Sequence, residues 1–413
     1  MTIREGNFVH SDLDRYNGDG IYLWIDNKKY IDCASGTFNL SLGYSAHEIV
    51  KAVENQLHRC AHLSSEFTIE KQKEVFSLLK EFLPEQIEEF WFRDIIGTTA
   101  NECAVKIAQK VTGNSDVISL FLSHHGQSIF TTEISGNAFR KQNFSYSGGY
   151  TKIPLPDCNN CFYGKNKDDC NILCAQRLED FIIYGSTGRV AAFIMEPVIG
   201  NGGNIIPDKR FYKIVREICS KYNILIIADE VQTGFGRTGA FFASDGYAKE
   251  LRPDIITFAK GAGGIGIPVA GVLMRKELNV LEKWEHSITS GSNPLALVAL
   301  EGTIKYIKEN NILDNVVSQS LILKRELLKL MKEFPYISNV RGLGLMYAFD
   351  LDNIENVKNF LILAHKNGLI LRSSRYGFGK TIKIRPPLII KENEVLEVIK
   401  LLKKTLKDLK GVI

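Results

Sequence analysis

The sequence predicts an α/β fold, a large and mostly parallel sheet with a smaller α+β unit beside it. In the middle of the chain, near-continuous Ile/Val/Leu runs at 191–197 (AAFIMEP), 224–230 (ILIIADE), 254–260 (DIITFAK) and 269–275 (VAGVLMR) alternate with amphipathic stretches such as 208–222. Such runs read as strands covered by helices on both faces, the pattern of a parallel sheet. From about residue 300 the pattern changes, with Lys/Leu/Glu-rich helices at 321–334 and 392–409 flanking shorter strands at 341–351 and 380–388. The expected organisation is an N-terminal segment of the small domain over 1–50, a large domain over 51–300 and a C-terminal small domain over 301–413.

Composition narrows the function. Over 413 residues, 45% hydrophobic content suffices for large cores. Fifty-one basic and 47 acidic residues, net +4, are spread without a basic stripe. That pattern argues against nucleic acid or a membrane surface as partner and for small-molecule chemistry. The N-terminus is polar and carries acids, and no apolar run reaches the roughly 18 residues of a membrane span. A cytoplasmic protein is expected, with its eight cysteines as reduced thiols.

The chemistry gathers at the C-terminal ends of two strands, where open parallel sheets collect their ligands. DIITFAK ends on Lys260 with glycines directly behind it. Burying an unpartnered ammonium is costly, but a lysine that reacts with an aldehyde needs a site of low polarity and room beside the backbone. ILIIADE carries Asp229 to the end of its own strand. A buried carboxylate there wants a cation, and a protonated pyridine nitrogen is one. The two residues frame a pyridoxal phosphate ring, Lys260 bonding its aldehyde and Asp229 keeping its nitrogen protonated. Taken singly, each reads equally well as a surface lysine or an N-cap aspartate.

The flanks add a resemblance. ILIIADEVQTGFGRTGAFFA and PDIITFAKGAGGIGIPVAG, with GTTANECAVKIA (97–108), HHG (124–126), EPVIGNGG (196–203), TSGSNPLA (289–296) and IRPPL (384–388), closely resemble the class III (ω-amino acid) aminotransferases. Those are fold type I pyridoxal phosphate enzymes, and the likeness runs over nearly the whole chain. It implies transfer of an amino group between an amino acid or ω-amine and a keto acid or aldehyde. It also implies that Val231 packs on the cofactor ring and Gln232 approaches its phenolate oxygen. Thr289 would reach the phosphate of the neighbouring subunit, in a homodimer with shared active sites. An amino-acid racemase or epimerase on the same fold is the alternative.

Gly97 and Thr98 open an amphipathic helix whose free N–H groups and positive dipole end suit the cofactor phosphate. His124 departs from the family's usual Tyr or Phe before His-Gly, and an imidazole stacks in its place. A second departure concerns the substrate. Where many members pair a glutamate with an arginine that grips a dicarboxylate, this chain has Asn201 and Lys383. Glutamate is therefore not expected as a strongly preferred donor. Arg385 shares a strand face with Lys383, so either one binds a substrate carboxylate or both are solvated strand-end charges.

Two motifs point elsewhere. GAGGIG at 261–266 matches the dinucleotide fingerprint of an NAD oxidoreductase, but a strand-like run follows it where a helix is required. CNNCFYGKNKDDCNILC sets Cys158, Cys161, Cys170 and Cys174 at spacings suggestive of a structural metal. A cluster of small apolar cysteines in a loop accounts for them equally well, and no metal is assigned. A metal-binding module would explain this loop and not the rest of the chain.

Overall fold

The computed structural model describes residues 13–64, 67, 70–137, 141, 150–374 and 379–411. The polar residues 1–12, part of the segment read above as carrying no targeting signal, lie outside them. The chain opens with a meander, β1 (Tyr16–Asp19), β2 (Tyr22–Ile25) and β3 (Lys28–Asp32). Seven strands follow: β4 (Glu89–Asp94), β5 (Asp116–Leu120), β6 (Thr151–Ile153), β7 (Val190–Met195), β8 (Leu225–Asp229), β9 (Ile255–Phe258) and β10 (Ala270–Met274). They form one sheet in the order β4-β10-β9-β8-β7-β5-β6. The C-terminal part adds β11 (Ile337–Leu343), β12 (Met346–Leu351), β13 (Leu369–Ile370), β14 (Arg372–Ser373) and β15 (Thr381–Ile384). Four of these make the sheet β11-β12-β15-β14, while β13 pairs in parallel with β3 and so joins the two ends of the chain.

This is the fold type I architecture, with a large, mostly parallel sheet and a smaller α+β part. The central strands are buried on both sides, as their uninterrupted apolar sequence requires. On β8, Ile226 and Ala228 face the larger core, and Ile227 faces the other. That second core is built largely by the helix Gly97–Thr112, whose Ala100, Cys103, Ala104, Ile107 and Ala108 lie against it. Small residues let this helix sit close to the strand ends, and its N-terminus lies at the cavity onto which Asp229 opens.

One strand runs against the rest. β10 is antiparallel to both β9 and β4. Antiparallel neighbours need no crossover helix, so the chain passes from β9 to β10 through a short loop. GAGGIG lies in that loop, with a 3-10 turn at Lys260–Gly263 and a strand beyond it. The dinucleotide reading fails on this geometry.

Three boundaries differ from expectation. The DIITFAK strand stops at Phe258, so Lys260 begins the turn and does not close the strand. The stretch 341–351 is a hairpin and not one strand, reversing at Gly344 with φ +57. A side chain there would strike the backbone of Arg237 and Thr238. The helix expected over 321–334 begins earlier and runs Ile312–Glu333. None of the eight cysteines is paired in a disulfide. Among the described residues, no helix is long and apolar enough to cross a membrane.

Candidate active site

Asp229 is the last residue of β8 and is 2% exposed. Three groups from different parts of the chain converge on its carboxylate. His125 Nδ1 lies 2.7 Å from Oδ2, Asn101 Nδ2 donates to the same oxygen at 2.8 Å, and the Val231 amide donates to Oδ1 at 3.1 Å. Burial by itself raises the Asp229 pKa, but the His125 hydrogen bond and charge, with the Lys260 ammonium, outweigh it and hold the group below its usual value. Asn101 is fixed in turn, its Oδ1 accepting from Thr257 Oγ1 of β9 at 2.6 Å. Asp229 is thus held ionised at the edge of a cavity.

Lys260 faces that cavity from the turn after β9. Enclosure lowers its pKa against the pull of the Asp229 and Glu196 charges, with Arg385 pushing the same way as burial. Its backbone is left-handed, φ +48, which is strained for a residue with a side chain. Glu196 is the buried acid behind the site, accepting from the His124 amide at 3.0 Å and the Gly200 amide at 2.9 Å.

The cavity has a volume of about 410 Å³, and Gly97, Thr98, His124, Asp229, Val231 and Lys260 all line it. The helix Gly97–Thr112 points its N-terminus here, and no side chain among the described residues caps it. Gly97 is small by necessity, because a Cβ would come within 2.8 Å of the Val231 methyls. Thr98 Oγ1 accepts from the Gln127 amide at 3.2 Å, tying the helix start to the HHG loop. These groups suit pyridoxal phosphate: free amides at a helix start for an anion, an ionised buried carboxylate for a ring cation, and an enclosed amine for an aldehyde.

The remaining expected residues lie elsewhere. Gln232 is outside the cavity wall, its Oε1 accepting from Arg385 Nη1. Arg385 is 1% exposed, and its Nη2 also donates to Gly200 O at 3.0 Å and to Asn204 Oδ1. Lys383 is 4% exposed, and among the described residues its ammonium has no hydrogen-bond partner. Neither is a solvated strand-end charge. Both pack over the Phe38 ring, Arg385 Cζ at 4.2 Å and Lys383 Nζ at 5.4 Å from its centroid, while Thr37 and Asn39 beside it line the cavity. Asn201 is partly buried and also outside the wall, its carbonyl accepting from Ser374 Oγ at 2.6 Å. Thr289 is exposed on a turn before the helix Pro294–Glu309, away from the cavity of its own chain.

His125, Asn101 and Glu196 were not singled out from the sequence, although each stands inside a motif quoted there. In HHG either imidazole suits either task. Both reach the cavity wall, and only the loop geometry makes His125 the one that bonds Asp229.

Comparison with known proteins agrees with this geometry. The family described as aminotransferase class-III matches residues 4–406. An acetylornithine aminotransferase of Prochlorococcus marinus is 32% identical over 94% of this chain and 90% of its own length. A leucine/methionine racemase of Thermococcus litoralis is 30% identical over 94% of this chain and 88% of its own. Among solved structures, a transaminase from the marine bacterium Virgibacillus has a TM-score of 0.88 at 27% identity, over 98% of this chain and 97% of that one. An omega transaminase from Pseudomonas jessenii, solved in complex with PMP, has a TM-score of 0.89 at 25% identity over 96% and 93%. The chain belongs to the class III aminotransferases, pyridoxal-phosphate-dependent enzymes that move an amino group between an amine and a carbonyl compound.

Proposed function

We propose that Lys260 and Asp229 carry this transfer, with Gly97 and Thr98 at the cofactor phosphate and His124 and Val231 against its ring. The observation that carries the reading is the pairing, on one cavity, of an enclosed lysine with lowered pKa and a carboxylate held ionised. Pyridoxal phosphate, when bound, supplies an aldehyde for the substrate amine and a ring that draws electrons from the adjacent carbon. Lys260 Nζ, its pKa lowered by burial, takes the proton from that carbon and returns it one position along. Asp229 holds a proton on the ring nitrogen, and His125 and Asn101 hold Asp229 in place.

For the substrate we infer a donor whose carboxylate meets Lys383. Arg385 is occupied by three oxygen partners, whereas Lys383 is not. Asn201 and Lys383 replace the acid and arginine expected of a glutamate-selective site. This supports an amino acid or ω-amine with a less acidic chain as donor, with alanine or pyruvate as partner. Acetylornithine, in the names of several relatives, is one such molecule, with an amine at one end and a carboxylate at the other. A racemase is the second reading, favoured by the racemases among the relatives. Gln232 is proposed to approach the phenolate oxygen of the ring while its Oε1 orients Arg385.

We also propose a homodimer, with Thr289 reaching the partner's cofactor, because it is exposed and outside its own cavity. The domain division at 50/51 and 300/301 is likewise proposed, and the pairing of β3 with β13 supports it. Eight unpaired cysteines favour a reducing compartment such as the cytoplasm.

Lys260→Ala is expected to abolish the visible absorbance of protein-bound pyridoxal phosphate and to cut turnover by about 10²–10⁴-fold or more. An unchanged spectrum with normal turnover would refute the assignment. In the wild type, a donor should convert the bound cofactor to its pyridoxamine form, which a racemase need not accumulate.

His125→Leu removes the hydrogen bond and charge that lower the Asp229 pKa. Because the folded pKa lies below the ordinary carboxylate value, the ionised form is lost only as pH falls through that lowered value. The substitution raises it, so cofactor affinity and kcat should fail at a higher pH on the acid side. Titrating both from pH 4 to 8 checks this, and coincident acid limbs for the two proteins would contradict it.

Lys383→Ala is expected to raise KM for carboxylate-bearing donors by roughly tenfold, the loss of one charge-assisted contact. Arg385→Ala should instead lower thermal stability, because it empties a buried hydrogen-bond network. Strong glutamate specificity in the wild type, lost only in Arg385→Ala, would reverse the assignment. Sedimentation should give a dimer, and Thr289→Ala should weaken cofactor retention; a fully active monomer at high dilution would refute the shared site.

A further inference from the structure

We propose that Cys158, Cys161, Cys170 and Cys174 form a tetrathiolate site for one structural zinc ion, remote in function from amino-group transfer. The four side chains line a single cavity of about 20 Å³, together with Lys165, Lys167, Asp208 and Phe211. That volume is enough for a body the size of one water molecule. The spacing is that of paired metal ligands, C-x2-C followed after eight residues by C-x3-C.

The backbone is shaped to bring the two pairs together. After Cys161 the chain turns back at Gly164, φ +64, whose amide donates to Cys161 O at 3.0 Å. Between Cys170 and Cys174 the chain passes through two left-handed residues, Asn171 at φ +46 and Ile172 at φ +56. A β-branched residue in that region is strained, and it persists only where the surroundings fix it. Here the Ile172 side chain is 3% exposed and anchors the loop to the main core, leaving Cys170 and Cys174 directed at the cavity.

Charge favours the same occupant. Zinc bound by thiolates from all these cysteines carries a net charge of about −2. Lys165 and Lys167 stand on the cavity wall to balance it. The Asp208 carboxylate on the same wall is already paired, with Arg210 at N–O distances of 2.9 and 3.2 Å and with Lys167 Nζ at 3.8 Å. The trio whose ligand atoms already lie within 4.8 Å of one another among the described residues is a different one, Asp94, Cys103 and His286. That trio lies in a packed core, and His286 Nε2 is already 3.0 Å from Asp94 Oδ1. The four thiols, not yet within 4.8 Å of one another, have to close on the ion as it binds. Closure would clamp the loop at both ends, since Phe211 beside the cavity belongs to the helix Lys209–Lys221 and Asn159 Nδ2 donates to Asn339 Oδ1 of β11 at 2.6 Å.

The test uses the full chain with its cofactor, purified under reducing conditions without metal-affinity steps. Elemental analysis should find about one equivalent of zinc per chain. Replacement by Co²⁺ should give the intense near-ultraviolet and visible bands of tetrahedral cobalt thiolate. Cys158→Ser and Cys174→Ser should each lower the zinc content by tenfold or more. Where a variant fails to fold, the wild type decides: a mercurial should release the zinc from the native chain by taking up its thiolates, and removal of the zinc by a chelator should leave thiols that react with a disulfide reagent where they did not before. Protein that holds no metal and takes up none from added Zn²⁺ would overturn the proposal, as would a disulfide among these cysteines or full zinc content in both variants. None of these readouts depends on transaminase activity, so failure here leaves the functional proposal untouched.

Discussion

The structure is organised around a carboxylate that must stay charged while buried. An ionised Asp229 inside the protein is tolerable only if hydrogen bonds and opposite charge replace the water it loses. No single element supplies them. Asn101 comes from the helix Gly97–Thr112, His125 from the loop after β5 and the Val231 amide from the chain beyond β8 itself. Thr257, on the neighbouring strand, fixes Asn101. Sheet order, helix placement and loop path are thereby tied to one oxygen, Oδ2, which accepts from both Asn101 and His125. The small residues on the inner face of the helix follow from the same demand, because a bulkier face would hold Asn101 away from the strand end.

Lys260 has the opposite tendency, since burial lowers its pKa and so disfavours its charge. Its position in a left-handed turn after β9, and not in the strand, takes its amine out of the sheet and into the cavity. The reversed β10 makes this possible: a parallel successor would have required a crossover helix, whose start would compete with the amine for the same space. The glycines that imitate a dinucleotide fingerprint serve this loop. Gly264, φ +63, passes close to Thr303 and Ile49, where a side chain would collide.

Much of this was legible from local sequence and some was not. Asp229 and Lys260 could be read because a charged residue at the end of an apolar strand is energetically conspicuous. Gly97 and Thr98 could be read because small residues before a helical period mark an N-terminus. The exact turn of Lys260 could not, since apolar periodicity continues one residue past the hydrogen-bonded strand. His125 could not be told from His124, because adjacent residues in a loop have no fixed sidedness. Arg385 and Lys383 were weighed as surface charges, and their burial depends on Phe38, hundreds of residues earlier, which no short window contains.

That cluster bears on selectivity. The buried Arg385 and Lys383 and the exposed Arg372 share one ring, and burial lowers the Lys383 pKa well below normal, with the charges of Arg385 and Arg372 adding to the effect. A site so rich in positive charge is unstable alone and is relieved when an anion enters. The two terminal nitrogens of Arg385 already bond to Gln232, Gly200 and Asn204, while its buried Nε has no partner among the described residues. Lys383 gains most, because a carboxylate would supply both its missing hydrogen bond and the charge that restores its protonation. A lysine offers a point charge without the planar fork of a guanidinium, so it grips a carboxylate while imposing little on the rest of the molecule. The replacement therefore argues for a site that demands an acid group and tolerates variety in the chain attached to it.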